Sequence, residues 1–258
     1  MIQKLYCFKI GGSVITDKAI PYTAKKDTIR TLAQSLKKIK SPMVISHGVG
    51  SFAHPSSKKY IRQNGYTSRW GLAKVARDAQ EINRIVMDVF IDVGLPVISF
   101  SPRSSLLTEK AKINKFFFDP ILETLRQGLI PVIHGDGIFD TKQKIAIYSG
   151  ENSLHLLIQY LLKHDFSIEK IIQLSNVDGV LDEKNRVIPE ITKTNWIQMQ
   201  KYIKKMSVVD VSGGMRHKVE EALSMTKYGI ETIIINGNKR NTFTNFIQGK
   251  KMNGTVIR

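Results

Sequence analysis

The chain has 258 residues, 42% of them hydrophobic, and a formal net charge of +17. This length and apolar content suffice for one large α/β domain with an ample core. No apolar run approaches the roughly 18 to 20 residues that cross a bilayer, and the first residues lack the layout of a secretory signal. We therefore expect a soluble, cytoplasmic protein with no membrane partner. Cys7, the single cysteine, lies in an apolar run, which predicts a packed thiol rather than redox chemistry.

The positive charge is spread over the whole sequence. Lysines occur as scattered doublets, such as those at 25–26 and 204–205, and they are not gathered with aromatic residues into one stripe. This pattern is typical of a solvated surface, so we expect no nucleic-acid partner. A basic surface also attracts phosphorylated small molecules.

The first predicted element is a buried strand that ends in the double glycine of KIGGSVITDK, residues 9–18. Glycines allow successive backbone N–H groups to approach an anion closely. Lys9 and Lys18 flank this turn with positive charge. The alternative is a tight turn between two solvated lysines, but the same combination of strand and glycine turn recurs along the chain.

A helix is predicted over 24–40, and the next strand runs into HGVGSFAHP, residues 47–55. Gly48, Gly50 and Ala53 also satisfy the GxGxxG/A fingerprint of dinucleotide-binding oxidoreductases. Two features argue against that interpretation. We expect Pro55 to interrupt the helix that should begin there, and no acidic residue follows a second strand about 20 residues later. A lone fingerprint of this kind is weak.

The later elements alternate between strands and helices. The patterns predict a loop or hairpin over 58–69, a helix over 71–93, a strand at 97–98, a polar insertion over 103–115, a helix over 116–126, a strand over 129–133, a hairpin over 138–150, a helix over 152–163, a strand over 170–174, helices over 196–204 and 214–228, and a strand over 231–235. Strands that end in glycine and alternate with helices predict a mainly parallel sheet, with a site along the carboxyl ends of its strands.

A third glycine turn, with the double glycine Gly213 and Gly214, opens the helix that carries Lys218 about one turn later. A helix N-terminus binds anions, so three glycine turns bring Lys9, Lys18 and Lys218 towards one place. Walker A, protein-kinase, CxxC and HExxH sequences are absent, and the histidines lack ligand spacing, so we expect no protein ligands for a metal. Positioned lysines, backbone amides and Mg²⁺ are what phosphoryl transfer needs.

The ordered motifs KIGGSVITDK, HGxGSFxHP, GD, YSG, NVDGV, SGGMxxK and GTVIR span nearly the whole chain. In this order they resemble the amino-acid kinase superfamily, and within it most closely the isopentenyl phosphate kinase family. The resemblance implies an α/β fold, an open αβα sandwich with a mainly parallel central sheet. It implies one domain over 1–258, with a phosphate-acceptor half at about 1–167 and a nucleotide half at 168–258. It also implies phosphorylation of isopentenyl phosphate by ATP with Mg²⁺, and a homodimer.

The resemblance also assigns roles to individual residues. Those implied in ATP binding are Lys9, Ile10, Gly11, Gly12, Ser13, Gly50, Asn176, Asp178, Gly179, Gly214 and Lys218. Those implied in catalysis are Lys9, Lys18, His54, Glu151 and Lys218. Those implied in holding the acceptor phosphate are Val49, His54 and Gly150.

A role for His54 in holding the acceptor also makes chemical sense. A phosphate monoester has its second pKa at about 6, so the attacking oxygen is already largely ionised and needs no general base. A histidine that donates to the other oxygens would act through positioning. The alternative is a surface histidine before a proline.

Four positions depart from the family pattern. Val49 replaces a glycine of HGGG, Glu151 and Asn152 replace the two aspartates of SGDD, and Asn176 replaces an aspartate before VDG. Glu151 can orient the catalytic lysines only with its longer reach. The alternatives are a kinase for another small phosphate or for a phosphonate such as fosfomycin, and a non-catalytic nucleotide-binding regulator. The apolar residues Ile82, Ile85 and Val86 would either line a dry wall for an isoprenoid tail or belong to the core.

Overall fold

A computed structural model describes residues 2–62, 65–206, 214–250 and 252–258. The strands are β1 (Gln3–Ile10), β2 (Met43–His47), β3 (Ile61–Arg62), β4 (Gly65–Tyr66), β5 (Val97–Phe100), β6 (Leu106–Glu109), β7 (Lys112–Phe116), β8 (Ile130–His134), β9 (Asp136–Asp140), β10 (Lys144–Tyr148), β11 (Phe166–Ser175), β12 (Glu190–Ile191), β13 (Thr232–Asn236) and β14 (Gly254–Ile257). The helices are α1 (Gly12–Ile15), α2 (Lys26–Leu36), α3 (Gly50–Tyr60), α4 (Arg69–Val93), α5 (Pro102–Ser105), α6 (Asp119–Arg126), α7 (Gly150–Leu161), α8 (Lys193–Met206), α9 (Gly214–Met225) and α10 (Arg240–Ile247).

The central sheet has eight strands in the order β12-β14-β13-β11-β1-β2-β8-β5. Among the described strands of this sheet, β13 pairs with β14 antiparallel and the other pairings are parallel. One apolar core packs α2, α4 and α10 against one face of the sheet, and a second core packs α6 and α7 against the other. The predicted αβα sandwich with a mainly parallel sheet is confirmed.

Strand β1 lies in the middle of the sheet and contributes to both cores. Phe8 and Ile10 point into the first core, whereas Leu5 and Cys7 point into the second. Because side chains alternate along a strand, Lys9 faces the same side as Cys7, towards α7. Cys7 is fully buried, and burial raises the pKa of its thiol, so the predicted packed thiol is confirmed.

A smaller sheet, in the order β10-β9-β6-β7, stands beside the central one. The predicted hairpin over 138–150 is β9 and β10. The stretch expected as a polar insertion folds into α5 and the hairpin β6–β7, in which Leu106 and Thr108 are buried. The sequence patterns did not predict α10 or the C-terminal strand β14.

The prediction that Pro55 interrupts a helix is wrong. Helix α3 begins at Gly50 and continues through Pro55 to Tyr60. Proline has no N–H to offer the carbonyl four residues earlier, which belongs to Ser51. That carbonyl accepts instead from the backbone nitrogen of Tyr22 at 3.1 Å, so the helix is not left with an unsatisfied group. One of the two arguments against a dinucleotide fingerprint therefore falls.

The longest described helix is α4, with 25 residues. Its N-cap is Ser68, whose side chain accepts from the Gly71 nitrogen at 2.9 Å, and its C-cap is Gly94 in the left-handed conformation. Neither α4 nor any other helix of the described residues combines the length and apolarity needed to cross a membrane.

Candidate active site

The turns that follow β1 and β2 touch each other through their backbones. A Cβ placed on Gly12 would lie 2.5 Å from the Gly50 nitrogen, and one on Gly48 would lie 2.7 Å from the Gly12 nitrogen. Gly50 also has φ +48, which L side chains rarely adopt. We call this contact the glycine junction, formed by Gly12, Gly48 and Gly50. It presents backbone, without side chains, at the carboxyl edge of the sheet.

Hydroxyl groups fasten the glycine junction. The Thr16 hydroxyl donates to the Gly12 carbonyl at 2.7 Å and accepts from the Ser51 nitrogen at 3.0 Å, so it bridges the two turns. The Ser46 hydroxyl donates to the Gly150 carbonyl at 2.7 Å and ties the start of α7 to β2. Sequence reasoning missed both residues, because a threonine after a glycine turn and a serine in a strand carry no distinctive signal.

A buried ion pair lies next to the junction. Lys9 reaches across from β1 and contacts Glu151 in the first turn of α7. Burial acts to raise the pKa of the Glu151 carboxyl, but the charge and hydrogen bond of Lys9 and the charge of Lys218 outweigh it and leave the pKa lowered. Glu151 is therefore ionised at neutral pH. Its longer side chain does reach the lysine that the sequence analysis assigned to it.

Lys218 joins this pair from another helix. It lies about one turn into α9, half-buried, and its charge acts on Glu151. Gly214 begins α9 with φ +62, whereas Gly213, the other glycine of this predicted turn, lies outside the described residues. The structure therefore brings together Lys9, Glu151 and Lys218.

Lys18 lies in a different setting. It is exposed, on the loop that an isolated bridge between Thr16 and Ala24 closes. Tyr22 in the same loop donates its backbone N–H to α3 and packs its ring 5.9 Å from that of Phe52. Lys18 is thus carried by a loop attached to α3, on the side of the predicted acceptor residues.

The remaining predicted nucleotide residues near β1 follow directly from the strand. Ile10 is its last residue and is buried, Gly11 donates to the Leu174 carbonyl at 2.8 Å, and Ser13 lies in α1. The hydrogen bond from Gly11 fixes the turn against β11, the neighbouring strand.

The predicted acceptor residues come from the starts of two helices. Val49 immediately precedes α3, and Gly150 begins α7. Gly135 lies between them: a Cβ on Gly135 would be 3.3 Å from the Gly150 nitrogen and 3.8 Å from the Val49 side chain. His54 is exposed one turn into α3. Val49 therefore places a methyl group close to Gly135, beside the start of α7.

Two buried histidines support this edge of the sheet. His47 and His134 end the paired strands β2 and β8, and their ring centroids are 5.6 Å apart. The pKa of each is lowered to about 4, chiefly by burial, and in His47 the charge of His134 contributes to the lowering. The Nδ1 of His47 lies 3.0 Å from the Gly48 carbonyl, and its Nε2 lies 3.1 Å from Asn83 Oδ1. Sequence reasoning treated these histidines singly and missed the pair.

The turn after β11 holds the predicted nucleotide-side residues. The carboxylate of Asp178 accepts from Lys239 at 2.6 Å and from the Asn236 amide at 2.8 Å, and these bonds lower its pKa. Asn176 is exposed and Gly179 is buried. The carboxylate thus joins the carboxyl ends of β11 and β13. A cleft of about 430 Å³ opens nearby, lined by Asp182, Arg186, Val187, Ile188, Pro189 and Met199.

The described residues include no group of three or more histidine, cysteine, aspartate or glutamate side chains that could hold a metal ion. Mg²⁺ in phosphotransferases is bound chiefly by substrate phosphates and water, with one or two carboxylates. The donors described here are compatible with an ion that enters with its nucleotide.

Backbone amides, a buried lysine and a second lysine gathered at the carboxyl edge of a parallel sheet define a protein that handles the phosphates of a nucleotide. Residues 4–236 match the model of the amino acid kinase family. The chain belongs to this family and is an ATP-dependent phosphotransferase, so the resemblance stated from its motifs is confirmed.

Individual relatives agree with the family assignment. The chain is 30% identical over 269 residues to the isopentenyl phosphate kinase of Methanocaldococcus jannaschii, with 98% of each chain covered. A solved substrate complex of isopentenyl phosphate kinase is 26% identical, with a TM-score of 0.76, and covers 98% of this chain and 99% of that one. A further structure of isopentenyl phosphate kinase, at 24% identity and a TM-score of 0.80, covers 98% of this chain and 100% of that one and supports the fold.

Proposed function

We propose that the protein transfers the γ-phosphate of ATP to isopentenyl phosphate, giving isopentenyl diphosphate and ADP. The observation that carries the proposal is the buried pair of Lys9 and Glu151 beside the glycine junction, with Lys218 facing it from α9. Phosphoryl transfer spreads charge over the oxygens of the transferred group, so positioned cations and amides lower its barrier. The full-length similarity to the relative from Methanocaldococcus jannaschii supports the choice of acceptor.

On this proposal the two halves of the chain bind different substrates. Residues 1–167 hold the acceptor, and residues 168–258 hold the nucleotide, whose phosphates extend to the glycine turns of the first half. The turn of Gly11, Gly12 and Ser13 cradles the ATP phosphates next to Gly50, and Lys9 contacts the transferred group. Lys218 neutralises the β- and γ-phosphates from the start of α9, with Ile10 and Gly214 shaping the backbone around them. The cleft beside residues 182–189 has the size and position for the adenine and ribose, next to Asn176, Asp178 and Gly179.

The acceptor's phosphate would lie among Val49, His54 and Gly150. Its attacking oxygen is ionised at neutral pH because the second pKa of a phosphate monoester is about 6. The enzyme then needs to hold the oxygen in line rather than remove a proton. His54 donates to the non-attacking oxygens, and the exposed Lys18 stabilises the transition state from the loop attached to α3.

The apolar tail of the acceptor requires an apolar surface shielded from water. The sequence analysis considered residues of α4 for this surface, or alternatively for the core. Ile82 and Val86 are fully buried in the first core, so they belong to the packing of α4 against the sheet. Exposed apolar side chains lie instead on the small sheet: Phe139 is 49% exposed and Ile147, three residues before Gly150, is 55% exposed. By the register of β9 and β10 they share one face of the ladder. This surface suits an isoprenoid better than a phosphonate without a tail.

We also propose the finer properties that the resemblance implies. Mg²⁺ enters bound to ATP and supplies charge neutralisation. The enzyme works in the cytoplasm as a homodimer, without a nucleic-acid partner. Size-exclusion chromatography with light scattering tests the dimer, and activity with and without chelator tests the requirement for Mg²⁺.

The deciding experiment measures ADP release from ATP and Mg²⁺ with isopentenyl phosphate, beside dimethylallyl phosphate, fosfomycin and no acceptor. We expect the highest kcat/KM with isopentenyl phosphate. Higher turnover with fosfomycin would assign the protein to a phosphonate kinase. ATP binding without turnover on any of these acceptors would contradict the proposal and favour a nucleotide-binding regulator.

A further inference from the structure

Helices α7 and α9 are linked a second time, one turn beyond Glu151 and Lys218. His155 of α7 lies with its Nδ1 2.7 Å from Oε2 of Glu221 on α9. The imidazole is almost fully buried, with 4% of its side chain exposed, and the carboxylate is 29% exposed. Because a carboxylate only accepts hydrogen bonds, Nδ1 carries the hydrogen and donates it.

The spacing along the two helices places this bond on the same faces as the catalytic groups. His155 follows Glu151 by four residues, and Glu221 follows Lys218 by three, and residues three or four apart are neighbours on a helix surface. The two helices therefore face each other through two successive pairs of residues, which we call rungs. The first rung carries Glu151 and Lys218, and the second carries His155 and Glu221.

We propose that His155 and Glu221 are positioning residues that set the place of Lys218 relative to Glu151, and hence to the phosphates of ATP. This inference rests on the proposed function, because it assigns Lys218 to the nucleotide. Neither residue needs to touch substrate. Their hydrogen bond fixes the position of α9, which carries Lys218, relative to α7, which carries Glu151.

The charges around the second rung agree with this role. The hydrogen bond from His155 lowers the pKa of Glu221 despite partial burial, so the carboxylate is ionised at neutral pH. Its charge acts with burial to raise the pKa of Tyr148 to about 12, and it is also felt by Glu151. If His155 did not hold it, this carboxylate would be free to compete with Glu151 for Lys218.

The rest of α9 is held independently of the pair. Val219, Ala222 and Leu223 pack into a third apolar cluster with strands β13 and β14. Loss of the hydrogen bond should therefore shift the position of Lys218 rather than unfold the helix. This separates a positioning role from a contribution to packing alone.

The test compares Glu221→Leu, which removes the acceptor, with the wild type in ATP binding without acceptor substrate, by titration calorimetry with Mg²⁺, and in kcat with acceptor substrate. We expect ATP to bind about five- to tenfold more weakly and kcat to fall by a similar factor, while KM for the acceptor substrate stays unchanged. In Lys218→Gln the same Glu221→Leu change should have no further effect on ATP binding, because the glutamate acts through the lysine. Effects that add in full, or a Glu221→Leu variant that binds ATP like the wild type, would overturn the proposal.

A matched control is available on the same helix. Glu220 pairs with Arg216 at 2.6 Å on the exposed side of α9, and Glu220→Leu should leave ATP binding and kcat unchanged. His155→Leu should reproduce Glu221→Leu, whereas His155→Asn, which keeps a donor, should restore most of the ATP affinity. Thermal unfolding shows whether each variant is folded. ATP affinity is measured without acceptor, so it decides the positioning role even if isopentenyl phosphate is not the substrate.

Discussion

Two contacts hold the active centre together, and they are of opposite kinds. The glycine junction joins the turns after β1 and β2 through backbone atoms, with no space for a Cβ at Gly12 or Gly48. The contact of α7 with β1 and α9 is made by polar and charged side chains, Lys9 to Glu151 and His155 to Glu221. The first contact requires glycine at these positions, whereas the second can be made by side chains of different length.

This difference explains where the chain keeps the family pattern and where it departs from it. Glycine stands at each of the three junction positions. Glu151 replaces an aspartate in the second contact, and it still meets Lys9 because an extra methylene can be taken up by side-chain rotamers. Val49, between the two junction glycines of its turn, has its side chain near Gly135. On the proposed function, the backbone contact shapes the site for the ATP phosphates, and the side-chain contact sets the charge of that site.

The largest effect should come from breaking the side-chain contact at its centre. Lys9→Met removes the cation assigned to the transferred phosphate and leaves Glu151 buried without its partner. We expect kcat to fall about 10³-fold and the free energy of unfolding to fall by ~3 kcal/mol. The measurements are steady-state kinetics and chemical denaturation.

A second replacement separates these two losses. Adding Glu151→Leu to Lys9→Met should recover most of the stability and none of the activity, because no buried charge is left unpaired. Lys170→Met, which removes half of the more exposed pair with Glu231 at 2.5 Å, should cost at most about 1 kcal/mol and leave kcat intact. Full activity in Lys9→Met would contradict the assigned role of the lysine.

Breaking the backbone contact should have the next largest effect. A Cβ on Gly50 would lie 2.0 Å from the Thr16 hydroxyl oxygen, at φ +48. We expect Gly50→Ala to cost ~3 kcal/mol of stability, from the left-handed conformation and the overpacking together, and to raise KM for ATP. Gly249 is the matched control, because it has φ +64 and no atom within 4 Å of a Cβ. Gly249→Ala should cost only about 1 kcal/mol, so equal losses in the two variants would mean that the junction is not tightly packed.

The same contrast decides what the sequence could predict. Strands buried on both faces and turns that require glycine leave strong patterns, so the parallel sheet and its carboxyl edge followed from the sequence. Lys9, Glu151 and Lys218 were placed by the family motifs, and the structure brings them together. Thr16 and Ser46 act through single hydrogen bonds, which any threonine or serine can make, and so they left no pattern to find.

Other features depended on residues far away in the chain. Helix α3 continues through Pro55 because Tyr22 supplies a donor from another loop, and no local pattern contains that information. The choice between core and tail wall for Ile82 required the position of α4 on the sheet. Local rules fail at these places because tertiary partners satisfy groups that would be unsatisfied in isolation.

A smaller, more selective effect should come from His54, which belongs to neither contact. His54→Ala should lower kcat/KM for the acceptor about 100-fold, since it removes a positioning donor, and leave the affinity for ATP within about twofold. Equal losses for both substrates would mean that the histidine supports the fold of α3. His164→Ala, at another exposed histidine, is the control and should change neither constant.

The smallest expected effect concerns the buried histidines beneath the junction. His47 and His134 have folded-state pKa values of about 4, below the ordinary value of about 6.5 for an unfolded chain. The unfolded chain therefore binds more protons between these values, and the fold loses stability as pH falls from about 6.5 towards 4. Each histidine should account for about 1 kcal/mol between pH 7 and 5.5, a range above that in which carboxylates titrate. Denaturant titrations across this range give the free energy of unfolding as a function of pH, and its slope should be shallower for His134→Asn than for the wild type. Above pH 8 the two curves should run parallel, because the imidazoles are neutral in both the folded and the unfolded chain. An unchanged slope would mean that the pair can be protonated in place, and that the junction above it yields more readily than its backbone contacts indicate.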